Sequence, residues 1–283
     1  MSIVHQTDIQ HRDIARVLNC GPSRILEESI DPTHGIHPLE HELPEKVDLR
    51  RAWWDIGEQR ETGSCVGWAI ADSVLRWHFV EAGRMPQEKR LSVRFIWTAA
   101  KETDDETREA TTFIELAETK IEAGLNIVKR FGIVDEETLP FFPTKMYAGD
   151  VGEFYNNASK FKIADYKSLI GPKEEGRVDP NLVCKWLAEN RLHGGGPIVV
   201  RMGIDTGFVD ANKNNSVLKE YNAWDGASQG NHCAAIVGYY REGAETFFIL
   251  RNSWSQDWGD NGYAYLSKEY LTEAIQEAWH VKI

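Results

Sequence analysis

Hydrophobic spacing changes period midway along this chain, and that change constrains the fold more than any single residue. In the first half, apolar residues recur at helical spacing. Cys65 to Glu81 carries Val66, Ala69, Ile70, Val74, Trp77 and Val80 on one broad face, and Gly83 and Pro86 mark its end. Leu91–Glu102 and Thr112–Arg130 repeat the pattern, and Asn181–Asn190 follows the start signal Asp179-Pro180. In the second half the apolar residues come in short β-branched or aromatic runs: residues 197–200, His232–Tyr240, Thr246–Leu250 and Tyr263–Leu266. Helices first and strands second predict an α+β protein of two lobes. The helical lobe covers roughly residues 55–160 and the strand-rich lobe roughly 161–283.

Residues 1–43 differ from the rest. Five histidines, three prolines and scattered apolar residues predict an extension with one short helix near Asp8–Leu18, ahead of a domain at residues 44–283. With 32 Lys and Arg against 44 Asp and Glu, the net charge is −12. No basic tract is present, which argues against nucleic acid or an anionic membrane as partner. No apolar run reaches the roughly 20 residues of a membrane span. Met1 to Arg12 lacks the apolar core of a signal peptide. Four cysteines without CxxC pairing suit a reducing compartment. The expectation is a cytoplasmic or otherwise not classically secreted protein.

Cys65 stands where a turn-like stretch, Glu61 to Ser64, gives way to a helix. A thiol on a first helical turn meets unpaired N–H groups and the positive end of the helix dipole, and both favour thiolate. A small buried core residue is the alternative reading. A thiolate nucleophile needs a base and a group to orient that base. Of nine histidines, His232 opens an apolar strand and can point into a cleft from a rigid backbone. Asn252 follows the next apolar strand, so that neighbouring strands would set its amide oxygen against the imidazole, with Trp254 as a lid over that bond.

These patches resemble the papain-like cysteine peptidases. Gln59 with Gly63-Ser64-Cys65, Asn231-His232-Cys233-Ala234, and Asn252-Ser253-Trp254 followed by Trp258-Gly259 and Asn261-Gly262-Tyr263 stand in the family's order. Leu43-Pro44 to Arg50 looks like a mature start. The resemblance implies a two-lobed fold with the cleft between a helical and a barrel-like lobe. It implies Cys65 as nucleophile, His232 as its proton partner, Asn252 as orienter, and Gln59 with the Cys65 backbone N–H as oxyanion donors. It also implies that Trp254, Asn231, Gly63 and Ser64 line the substrate side. Peptides or proteins are the implied substrates, with no cofactor and no metal. Cys65 and His232 are expected to rest as thiolate and imidazolium. A silent peptide-binding module, an exopeptidase with a plugged cleft, and another acyl transferase remain open alternatives.

The chain departs from the family in places. Thr62 stands where a disulfide cysteine is usual, and Val66 replaces the tryptophan after the nucleophile. The substrate-binding glycine pair gives way to a helical stretch, Thr112–Gly132. Residues 1–43 are expected to act as a short inhibitory arm or to pack as a surface arm, and Asp205–Gly230 as a loop over the cleft. Asp257–Gly262 lacks the alternating acids of a calcium loop. Gly194–Gly196 lacks a phosphate-loop context. Cys184 and Cys233 read as core, and Cys20 as a turn residue without a function.

Overall fold

Cys65 begins the central helix because Ser64, at φ −92° and ψ 14°, turns the chain into it. The computed structural model describes residues 2–8, 11–25, 30, 43–102, 118–142, 147–170, 177–189, 195–225 and 230–283. Its first elements are β1 (Ser2–Asp8), β2 (His11–Leu18), β3 (Cys20–Gly21) and β4 (Lys46–Asp48). The central helix follows in three continuous pieces: α1 (Cys65–Gly67), a π-helical stretch (Trp68–Leu75) and α2 (Arg76–Glu81). The apolar face expected for residues 65–81 is buried except for half-buried Val80. The wider π turns are a deviation that often marks functional helices.

α3 (Val93–Glu102) and α4 (Ile121–Arg130) pack with that helix into the helical lobe, with β5 (Thr119–Lys120) directly ahead of α4. Of the helix expected over Thr112–Arg130, the described residues show α4 from Ile121 to Arg130, with strand β5 just before it. Residues 111–117 lie outside the described residues. Next come α5 (Val151–Ala158), β6 (Asp165–Ser168), α6 (Pro180–Ala188), β7 (Ile198–Gly203), α7 (Thr206–Val209) and β8 (Val217–Leu218). The chain closes with β9 (Asn231–Glu242), β10 (Glu245–Arg251), β11 (Tyr263–Ser267), α8 (Lys268–Ala274) and β12 (Ile275–Lys282). The sheet runs β6-β12-β7-β9-β10-β11-β8, with β4 pairing on β9. Gly238 permits that pairing, since a Cβ there would stand 2.3 Å from the Val47 carbonyl oxygen.

The helix expected near Asp8–Leu18 is instead strand β2, which pairs antiparallel with β1 from Ser2↔Leu18 to Asp8↔His11. The β-branched Ile3, Val4, Ile14 and Val17 favour the strand, and hairpin pairing overrides a weak helical pattern. Beyond it, β3 pairs parallel with β5, Cys20↔Thr119 and Gly21↔Lys120. The N-terminal chain thus lies against the helical lobe.

The two halves are joined by buried charge. Asp72, on the π-helical stretch, accepts from Arg251 Nη2 at 2.8 Å through Oδ2 and from Arg90 Nη1 at 3.1 Å through Oδ1. Arg251 ends β10, donates to the Trp54 and Asp55 carbonyls, and lies 4.5 Å from the Trp54 ring centroid. Both side chains are almost wholly excluded from water. Breaking one side of a buried pair strands the other charge. Asp72→Asn is therefore expected to cost about 3 kcal/mol, read as a lower urea midpoint with an unchanged slope.

Candidate active site

His232, second residue of β9, is paired to Met202 on the neighbouring β7 and is fully buried. Its Nε2 lies 2.7 Å from Asn252 Oδ1. That oxygen also accepts the Ser253 backbone N–H at 2.8 Å, which fixes the amide orientation. Nε2 must then carry the proton and donate it, leaving Nδ1 as the basic nitrogen. Among the described residues Nδ1 has no hydrogen-bond partner. The next residue on the strand, Cys233, donates its backbone N–H to the Cys65 sulfur. The thiol thus lies against the backbone of the residue that follows His232.

Asn252 is held by the turn that follows it. Its N–H bonds the Gly262 carbonyl at 3.0 Å. The loop between them needs left-handed backbone at Ser255, Gly259, Asn261 and Gly262, with φ of 66°, 59°, 53° and 88°. This is the physical content of the glycines and asparagine in the third motif. Trp254 lies 5.0 Å from His232 between ring centroids, and Trp258 donates its indole N–H to the Phe208 carbonyl. Phe208 sits between them, 5.9 Å from His232, 5.4 Å from Trp254 and 4.8 Å from Trp258. The segment expected as a cleft loop thus begins as a buried prop behind the histidine, capped by Asp205, which accepts from Phe208 N–H and Tyr270 OH. Residues 226–229 lie outside the described residues.

Gln59 is tied to the asparagine segment. Its N–H donates to the Ser253 carbonyl, and its Oε1 accepts from Ser253 Oγ at 2.9 Å. Its Nε2 is left to donate, to the Thr62 carbonyl at 3.0 Å and to the Val17 carbonyl at 3.5 Å. Val17 belongs to the N-terminal chain. Arg16 beside it bonds Glu58 at 2.5 Å and lies 5.3 Å from the Trp254 ring centroid. Asn19 donates its backbone N–H to the Cys65 sulfur and accepts Thr119 N–H at 3.1 Å. Ser23 N–H reaches Glu277 at 2.8 Å, and Ser23 Oγ accepts from Glu122 N–H at the start of α4. Residues 16–23 therefore run through the site, touching both lobes.

This covering sets the charges. Burial pushes the Cys65 thiol up to about 12, and the nearby Cys20 adds to the rise. The N–H groups of Cys233, Asn19 and Val66 pull it down without overcoming that. Burial likewise pushes His232 down to about 4, against its hydrogen bond to Asn252 and reinforced by the charge of Arg16. With the site covered, the resting pair is thiol and neutral imidazole rather than the expected thiolate and imidazolium, because neither charge has water around it.

Residues 43–281 match the profile of the papain family cysteine proteases. Mouse cathepsin J is 24% identical over 254 residues, which are 85% of this chain. The chain spans 65% of cathepsin J, less than two thirds of that protein's own length. Xylellain, a cysteine protease from Xylella fastidiosa, superposes with a TM-score of 0.71 at 22% identity, covering 98% of this chain and 99% of that one. Digestive procathepsin L 3 from Tenebrio molitor larval midgut gives 0.64 at 17%, covering 92% and 75%. The chain belongs to the papain family of cysteine proteases. At these identities the structural likenesses speak of fold, and the papain-like two-lobed α+β architecture expected from the sequence is the one present.

In the structure Gln59 is bonded to Ser253, Asn252 to His232, and Cys65 meets the backbone of Cys233. Trp254 is fully buried against the His232 ring, and the Ser64 hydroxyl is within 2.6 Å of Thr62 Oγ1. Gly63 is buried at the turn before Cys65, and Asn231 is half-buried, paired to Gly203. Sequence reasoning missed Phe208, Asp72, Arg16 and Asn19, and quoted Ser253 in a motif without giving it a role. Asp205, an acid three residues ahead of Phe208, is a helix-start signal that marks the first. The others depend on partners far away in the chain and leave no local mark. Phe208→Ala is expected to cost about 3–5 kcal/mol and to broaden the His232 ring resonances in NMR spectra, since the aromatic prop behind them is gone.

Proposed function

We propose that this chain is a cysteine peptidase that hydrolyses internal peptide bonds through a thioester, and that residues 16–23 hold its cleft closed. The observation that carries the reading is the His232 ring, fixed by Asn252, on a strand whose next N–H, that of Cys233, meets the sulfur of a thiol at a helix start. Cys65 bonds to the carbonyl carbon as its proton passes to Nδ1. The carbonyl oxygen gains charge and meets the Gln59 Nε2–H and the Cys65 backbone N–H. The C–N bond breaks as His232 returns the proton to the leaving amine. Water then loses a proton to His232, adds to the thioester carbon and releases Cys65. Gly63 and Asn231 stay the proposed substrate contacts, with Trp254 supporting the histidine and Ser64 holding the turn. Substrate would take the place of β3 on β5.

The arm reading rests on what faces the sulfur. Asn19 offers Cys65 an N–H, which is a hydrogen-bond donor and not an electrophilic carbon. A segment so placed occupies the nucleophile without being cut by it. Cys20, Cys65, Cys184 and Cys233 are buried and outside any disulfide, which supports a reducing compartment, cytoplasmic or not classically secreted, as part of this proposal.

A peptide-library assay under reducing conditions tests the chemistry. Cys65→Ala is expected to abolish cleavage, and Gln59→Ala to lower kcat about 10²–10³-fold. Cleavage by Cys65→Ala would sink the assignment. Asn19→Pro removes the N–H that meets the sulfur and is expected to speed alkylation of Cys65 relative to the unaltered full chain.

A further inference from the structure

Arg16 is a cation almost wholly excluded from water, so the groups around it have to replace its hydration. Two of them do. Its Nη1 donates to Glu58 Oε1 at 2.5 Å, and its guanidinium carbon stands 5.3 Å from the Trp254 ring centroid, within the range of a cation over an aromatic face. Neither group belongs to the arm. Glu58 Oε1 also accepts the Arg60 backbone N–H at 2.9 Å, which aims the carboxylate. The Glu58 and Trp254 segments are clamped antiparallel, by the Gln59 N–H on the Ser253 carbonyl at 2.9 Å and the Ser255 N–H on the Gly57 carbonyl at 3.0 Å. An acid and a ring are thus held together by bonds that Arg16 does not supply. The Glu58 side chain keeps 31% of its surface in water even with Arg16 docked, so a cation can approach it from solvent.

This pocket lies beside the reacting groups. The carbonyl of Val17, the residue after Arg16, is 3.5 Å from Gln59 Nε2, the proposed oxyanion donor. Trp254 is 5.0 Å from His232 between ring centroids. The leaving amine takes its proton from His232, so the amine side of a substrate lies toward Trp254 while its acyl side lies along β5.

We propose that Glu58 and the face of Trp254 form a specificity pocket for a guanidinium or ammonium side chain, at the first or second residue after the cleaved bond, and that Arg16 fills it in the closed form. The proposal rests on the cysteine-peptidase reading and gives that site a substrate class: peptides with Arg or Lys just beyond the scissile bond. Arginine fits better than lysine, because its planar fork bonds a carboxylate while its face lies on a ring. Asp or Glu at that position meets Glu58 as a like charge and is rejected. The net charge of −12 favours the approach of basic peptides. Arm and substrate compete for one carboxylate.

The test profiles a peptide library under reducing conditions with the full chain, Glu58→Gln, Arg16→Ala and the double variant. The expected result is enrichment of Arg and Lys at the first or second position after the bond, with Arg ahead, and depletion of Asp and Glu. For a matched pair of peptides carrying Arg or norleucine there, Glu58→Gln should lower the ratio of their kcat/KM values about tenfold or more, with or without Arg16. Arg16→Ala should speed cleavage and keep the preference, which separates the pocket from the arm. Cleavage with no basic preference after the bond, or with one that Glu58→Gln leaves intact, overturns the pocket and leaves the peptidase reading standing. A library left uncut by the full chain and by Arg16→Ala overturns the peptidase reading, and the pocket falls with it.

Discussion

Asp72 and Arg251 face each other at 2.8 Å where water does not reach either of them. Asp72 lies seven residues after Cys65 on the central helix, and Arg251 immediately precedes Asn252. The pair therefore ties the element that carries the thiol to the element that orients the imidazole. The Gln59–Ser253 bonds make a second tie a few residues from each end. A site built from two lobes depends on such crossings, because an error of about 1 Å between reacting groups costs orders of magnitude in rate. Buried ion pairs contribute modestly to net stability. Here the pair also fixes a position.

Solvent is the second constraint. The thiol and the imidazole favour charge separation when water reaches them and oppose it when residues 16–23 keep water out. Covering a thiol and an imidazole pushes one up and the other down, so the cover removes the reactive form without altering a catalytic bond. Closing the site and discharging it are one event.

The large features were legible because they repeat locally. The helical period of residues 65–81, the strands opening at His232 and ending before Asn252, and the glycines after Trp258 each record a backbone requirement in adjacent residues. Features made by distant pairing were not. The hairpin of β1 and β2 reads as a weak helix until each strand supplies the other's partners. Strand β5 is only two residues long and acquires its identity from β3, which stands 99 positions earlier. Cys20 reads as a turn residue for the same reason, since its neighbours in space, Thr119 and Cys233, are far away in sequence.

On the proposed reading of residues 16–23 as a cover, the parallel pairing of β3 on β5 makes the obstacle part of the same molecule. A tethered competitor is present at a fixed effective concentration, in the millimolar range for short flexible connections, however dilute the protein becomes. Dilution therefore cannot relieve such a block, and neither can removal of other copies. An incoming substrate must outcompete a local concentration, not a bulk one.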